Sequence, residues 1–461
     1  GNAAGDTLTF AGGLTATAPA AISAAGTVNT THADINLGST AITLTSNTTL
    51  NAGSGNVTLS STVDSATGTT QALSINSTGA TTFNASLGAT AALTSLTTNT
   101  GGTLVMNGGS VTTTGAQSFG EAVTLGAHTT LNAGAGHVTF DGTIDGAYDL
   151  TINSTGITSL NAAVGGTTAL SRLITNAGGS LAMNGGSITT TGAQSYGEWV
   201  NLGASVVLQG VNITFGSTVD SAASTPYSLS INDSGTTVLG GAVGAVHALN
   251  NLTTDAAGET RIQGTQALTT IKATGSAVFN DIVKVFTDVA VQTGGDLKFM
   301  QTVNGDTANT RSLTLDAGSV GNITAQGVVG GSAALKTLQV INSNTATFNA
   351  AVTTGTSVVL TDTVDAHAIA FNAGLTTPTF TVAAEPFALT LRGNIAVANG
   401  INLANTGGLV LDGSFTTNNQ ALTLGQAGQT TTLLANTSLD SGTATTTVNG
   451  NLSGSGFTLG F

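Results

Sequence analysis

Apolar residues along this chain alternate with Thr, Ser or Asn in short runs such as Val138-Thr139-Phe140 and Leu150-Thr151-Ile152. A period of two turns one face of a strand inward and leaves the other to solvent. Gly, Asn and Asp separate the runs as turn signals, and no stretch sustains the 3.6-residue period of a helix. The pattern predicts an all-β chain with almost no helix. Inward candidates in one stretch are Leu131, Val138, Phe140, Leu150, Ile152 and Leu160.

The runs are themselves repeated. MNGGSVTTTGAQSFGE at residues 106–121 returns as MNGGSITTTGAQSYGE at 183–198, an offset of 77. LSINSTGATTFNASLG from Leu73 returns from Leu150 and from Leu229, with a worn copy from Leu313. A finer period lies inside the long one, because residues 110–186 divide into lines of 18, 20, 21 and 18 residues. Lines of about 20 residues suit a parallel β-solenoid, in which each coil lies on its equivalent. An antiparallel sandwich array would need units near about 100 residues joined by tight hairpins.

The asparagines favour the solenoid. Asn51, Asn76, Asn99, Asn132, Asn153, Asn176 and Asn232 each follow a short strand and precede a turn, and Asp255, Asp316, Asn342 and Asn372 continue the series. Such recurrence predicts a ladder in which each amide donates to the next. The expected organisation is about 23 coils of about 20 residues. Degenerate coils occupy 1–44, units of about 77 residues occupy 45–340, and degenerate coils occupy 341–461.

Composition narrows the function classes. Charged residues are 7% of the chain, yet hydrophobic residues are 40%, enough buried surface to argue against disorder. The formal net charge is −14, and all eight basic residues lie between Arg172 and Arg392 without clustering. Nucleic acid and anionic membrane surfaces are therefore poor partners, and no apolar run reaches the length of a membrane span. With no Cys, disulfides and thiol chemistry are excluded.

Candidate chemistry is sparse. Asp64, Asp145, Asp220 and Asp365 follow Thr-Val or Thr-Ile and read as turn aspartates, with cation binding as the competing reading. The five histidines, among them His128 and His137 in one line, lack metal-ligand spacing. Glu121 and Glu198 recur alone at a coil corner, whereas a catalytic carboxylate needs a partner. No catalytic residue, metal or cofactor is expected. Trp199 has parity opposite to Val200 and Leu202 and should face outward, so Trp199 with Tyr196 could stack on a sugar. Phe457, Leu459 and Phe461 alternate as a strand that could pair with another edge.

These phrases resemble a known family. TTTGAQSYGEWVNLGA, a TVDS or TIDG turn, the LSIN or LTIN step and AVGG are similar to the long repeats of filamentous-haemagglutinin-like adhesins and related "beta strand repeat" bacterial exoproteins. The resemblance covers residues 45–340 best. It implies a right-handed parallel β-helix, export to the cell surface or beyond, and a role in adhesion, biofilm or fibre formation. The expected function is a non-catalytic adhesive stalk or fibre. One alternative is a filament subunit joined end to end through strand edges, and another is a polysaccharide-binding or -cleaving β-helix. Expected partners are further copies of the chain, end to end or lateral, or host and matrix glycans.

Overall fold

The computed structural model describes residues 5–454 and 456–461. Strands and turns make up the described chain, and no helix occurs among the described residues. Strands pair in parallel with strands one coil away, in a β-solenoid of about 22 turns with about 21 residues per coil. Two compact units are distinguished, Gly1–Ala222 and Ala223–Phe461. The division falls just before Leu229, where the third copy of the LSIN phrase begins.

A coil of the first unit carries three strands, Gln117–Phe119, Ala122–Leu125 and Thr129–Gly134. Each pairs with its equivalent in the next coil: Phe119 opposes Phe140, Val123 opposes Ile144 and Leu131 opposes Ile152. Register is fixed because a one-residue slip would carry every inward side chain to the solvent face. All six inward candidates, Leu131, Val138, Phe140, Leu150, Ile152 and Leu160, are buried.

The interior is a column of Val, Leu, Ile and Phe. Aromatic pairs recur at matched positions. In the first unit Phe119 stacks on Phe140 with ring centroids 4.8 Å apart, and Tyr196 lies 5.3 Å from Phe215. In the second unit Phe279 stacks on Phe299 at 5.2 Å and Phe348 on Phe371 at 4.8 Å. Such pairs add roughly 0.5–1.5 kcal/mol each beyond their buried area. Cohesion is thus local to adjoining coils, and stability accumulates coil by coil.

Candidate functional site

The asparagine ladder exists in segments. Asn51 donates to Asn29 at 2.7 Å and Asn76 donates to Asn51 at 2.6 Å. Asn153 donates to Asn132 at 2.8 Å, and Asn132 reaches Thr112 at 3.4 Å. Of the seven asparagines that lead the series, three do not take part. Asn99 and Asn176 instead accept the backbone amides of Ser77 and Ser154 in the coil below. Asn232 is exposed, and at its place in the next coil stands Asp255, which accepts the Asp233 backbone amide. Rungs not anticipated run through Asp141, Asn161 and Asn184, while the expected Asn372 donates to Asn349, which in turn donates to Gln326. The inter-coil spacing of about 4.8 Å suits one amide reaching the next, but a strand-end Asn can equally cap a backbone amide. Sequence cannot choose between the two.

Beside this ladder runs a column of hydroxyls on the same sheet of the first unit. Thr7, Thr27, Thr49, Ser74, Thr97, Ser118, Thr139 and Ser159 oppose one another in unbroken register through eight strands. All point out of the core. The next outward column holds His137, Ile157, Ser180 and Trp199, placed by the same registers. Ile157 and Trp199 are 44% and 43% exposed, so the column presents an apolar patch to solvent.

Tyr196 is not part of that surface. It is fully buried, its ring packed beside Phe215 and its hydroxyl donating to Gln194 Oε1 at 2.7 Å. Burial, with the neighbouring Glu198 charge, pushes its phenol well above the ordinary range. The alternation explains the correction. Residues 194, 196, 198, 200 and 202 all face inward, while 199 and 201 face out. Tyr196 and Trp199 differ by an odd number and occupy opposite faces.

The same phase carries the recurrent glutamates inward, where sequence reasoning placed them at a corner. Glu121 and Glu198 are only 2% and 3% exposed. Both oxygens of Glu121 and one of Glu198 lack a well-formed hydrogen bond. Burial pushes both carboxyls up, with the hydroxyls of Thr98 and Thr175 in the coils below acting in the opposite direction. Asp281, the equivalent in the next repeat, is also buried and raised, but Thr254 and Thr260 each donate to one of its oxygens at 2.7 Å. Continuing the alternation through the Gly-Glu step would have exposed this feature.

Several other acids serve the backbone or pair with cations. Asp64 accepts the amides of Thr90 and Ala91, and Asp145 those of Thr167 and Thr168. The Arg172 guanidinium 2.5 Å from Asp149 holds that carboxyl below its usual range. His128 lies against Asp149, whereas His137 accepts the Ile157 amide, so the two histidines serve separate partners. Among the described residues, no group of three or more His, Cys, Asp or Glu could hold a metal ion.

In the second unit an open groove of about 440 Å³ is lined by Thr354, Thr376, Thr377, Pro378, Ala396, Val397, Thr416 and Thr417. At the far end of that unit the expected strand is shorter than its alternation suggests. Only Leu459–Gly460 pairs, with Thr437–Ser438, while Phe457 and Phe461 lie outside it and are exposed. What these arrangements define is the class of parallel β-solenoids with an outward polar array. No family model, curated protein or solved structure matches the chain.

Proposed function

We propose that this chain is a non-catalytic, adhesive β-solenoid displayed outside a bacterial cell, serving as a stalk or fibre. The observation that carries the reading is the ordered outer face of the first unit. A buried column holds equivalent residues at one height per coil, so the hydroxyls from Thr7 to Ser159, the flanking amides and the Ile157–Trp199 patch form one periodic surface. A periodic, nearly uncharged array of donors and acceptors beside an exposed indole suits repetitive glycan partners. The recurrent carboxylates Glu121, Glu198, Asp64 and Asp145 are committed to burial or to backbone capping, which supports the non-catalytic reading.

The test has two readouts. Purified chain is applied to arrays of host cells, matrix proteins and glycans, with reducing ends assayed on every glycan retained. Retention that weakens in Trp199→Ala, without glycan cleavage, is expected. Silence across all surfaces would remove the adhesive reading, and released reducing ends would remove the non-catalytic one.

A further inference from the structure

Three acids in this chain occupy one structural position, and their surroundings are alike. Register places Thr98 under Phe119, Thr175 under Tyr196 and Thr254 under Phe279. Two residues after each ring comes a buried acid: Glu121, Glu198 and Asp281. The groups packed around them are neutral or acidic. Glu121 has Asn99 and Thr100 below its Gly120 neighbour and Gly142 above it, with Asp141 exposed alongside. Glu198 has Thr175 and Asn176 below, Gly216 and Ser217 above and the Tyr196 ring beside it. Asp281 has Thr254, Thr260 and Asp255 below and Gln301 above. Lys284, the cation nearest it in sequence, pairs outward with Glu259 at 3.6 Å.

We propose that Glu121, Glu198 and Asp281 are a pH-set lock on the coils that carry them, closed while the acids are protonated and opening locally as they ionise. A buried carboxylate is costlier than the neutral acid; at Asp281 two threonine hydroxyls reduce that cost without cancelling it, and no cation faces any of the three to offset the rest. The raised position of all three acids agrees in direction. A group whose folded-state pKa lies above its unfolded value contributes stability that is complete below the unfolded value. That contribution is lost as pH rises through the folded one. The chain also contains its own control. In the fourth repeat Val340 stands where the threonine would be, and Asp362, at the place of the acid, is half-buried rather than buried.

Amide hydrogen exchange on the intact chain, followed from about pH 4 to about pH 9, reads the lock directly. Protection factors at residues 120–123, 197–200 and 281–283 should fall at least about tenfold across the range, while those around residues 360–363 hold. A uniform change over all four places would overturn the proposal. In Glu121→Gln/Glu198→Gln the first two sites should lose their pH dependence while Asp281 keeps its own. Retained pH dependence at the substituted sites would overturn it as well. Should the double variant not fold, the wild-type exchange map decides alone.

Discussion

Tyr196 shows how one atom can complete a buried network. Gln117 and Gln194 occupy equivalent inward positions, and the Nε2 of each donates to a carbonyl in its own coil, to a threonine hydroxyl and to the next coil. Their Oε1 atoms differ. That of Gln117 is buried without a partner, whereas that of Gln194 accepts the Tyr196 hydroxyl. The sole chemical difference at the packed ring is Phe119 in one copy and Tyr196 in the other. A buried unsatisfied acceptor costs about 1–3 kcal/mol. Tyr196→Phe should therefore destabilise the first unit by about 1–2 kcal/mol. Phe119→Tyr should stabilise it by a smaller amount, if the new hydroxyl reaches Gln117 as its counterpart reaches Gln194. Urea midpoints of the two variants test this, and equal shifts of one sign would refute the pairing.

At the scale of the coil, a glycine corner sets how closely successive turns approach. Gly88 and Gly165 in the first unit, and Gly244 and Gly330 in the second, have φ of +68°, +69°, +67° and +75°. A Cβ at each would lie 2.1–2.2 Å from a backbone oxygen of the next coil, for Gly165 that of Thr189. Side chains are thus excluded twice, by the left-handed backbone and by the neighbouring coil. Gly165→Ala should cost more than about 2 kcal/mol. Gly166→Ala is a fitting control, since its Cβ would meet only the Ala163 methyl at 3.5 Å; comparable losses in both would show that the corner is not the constraint.

These corners also show what was legible in the sequence. The period of two and the line length near 20 residues depend on spacing alone, and both the all-β character and the parallel stacking followed from them. The hydroxyl column was legible in part, since outward Thr and Ser could be assigned by parity while register across coils of unequal length could not. From Leu50 to Ile75 the step is 25 residues, from Val138 to Thr158 it is 20. Loops absorb that difference, and spacing does not reveal where. The assignment of Glu121, Glu198 and Tyr196 failed for another reason: Gly-Glu was read as a break, although the strand phase passes straight through it.

For the molecule as a whole, net charge sets the repulsion expected between copies. The formal count of −14 at neutral pH treats every acid as ionised, yet Glu121, Glu198 and Asp281 are all held toward the neutral form. The repulsion between copies is carried by surface acids such as Asp141. Like-charged surfaces repel in proportion to net charge, and salt screens them over a Debye length of about 10 Å at 0.1 M. The sequence pI is near 4.3. Light scattering should therefore find dispersed chains at neutral pH and low salt, with association growing as pH falls toward that value or as salt is added at neutral pH. Both routes remove the same repulsion, whereas only acid also protonates the buried carboxyls. Association driven by acid but indifferent to salt would place the cause inside the coils, and a particle size unchanged by either would exclude charge as the control.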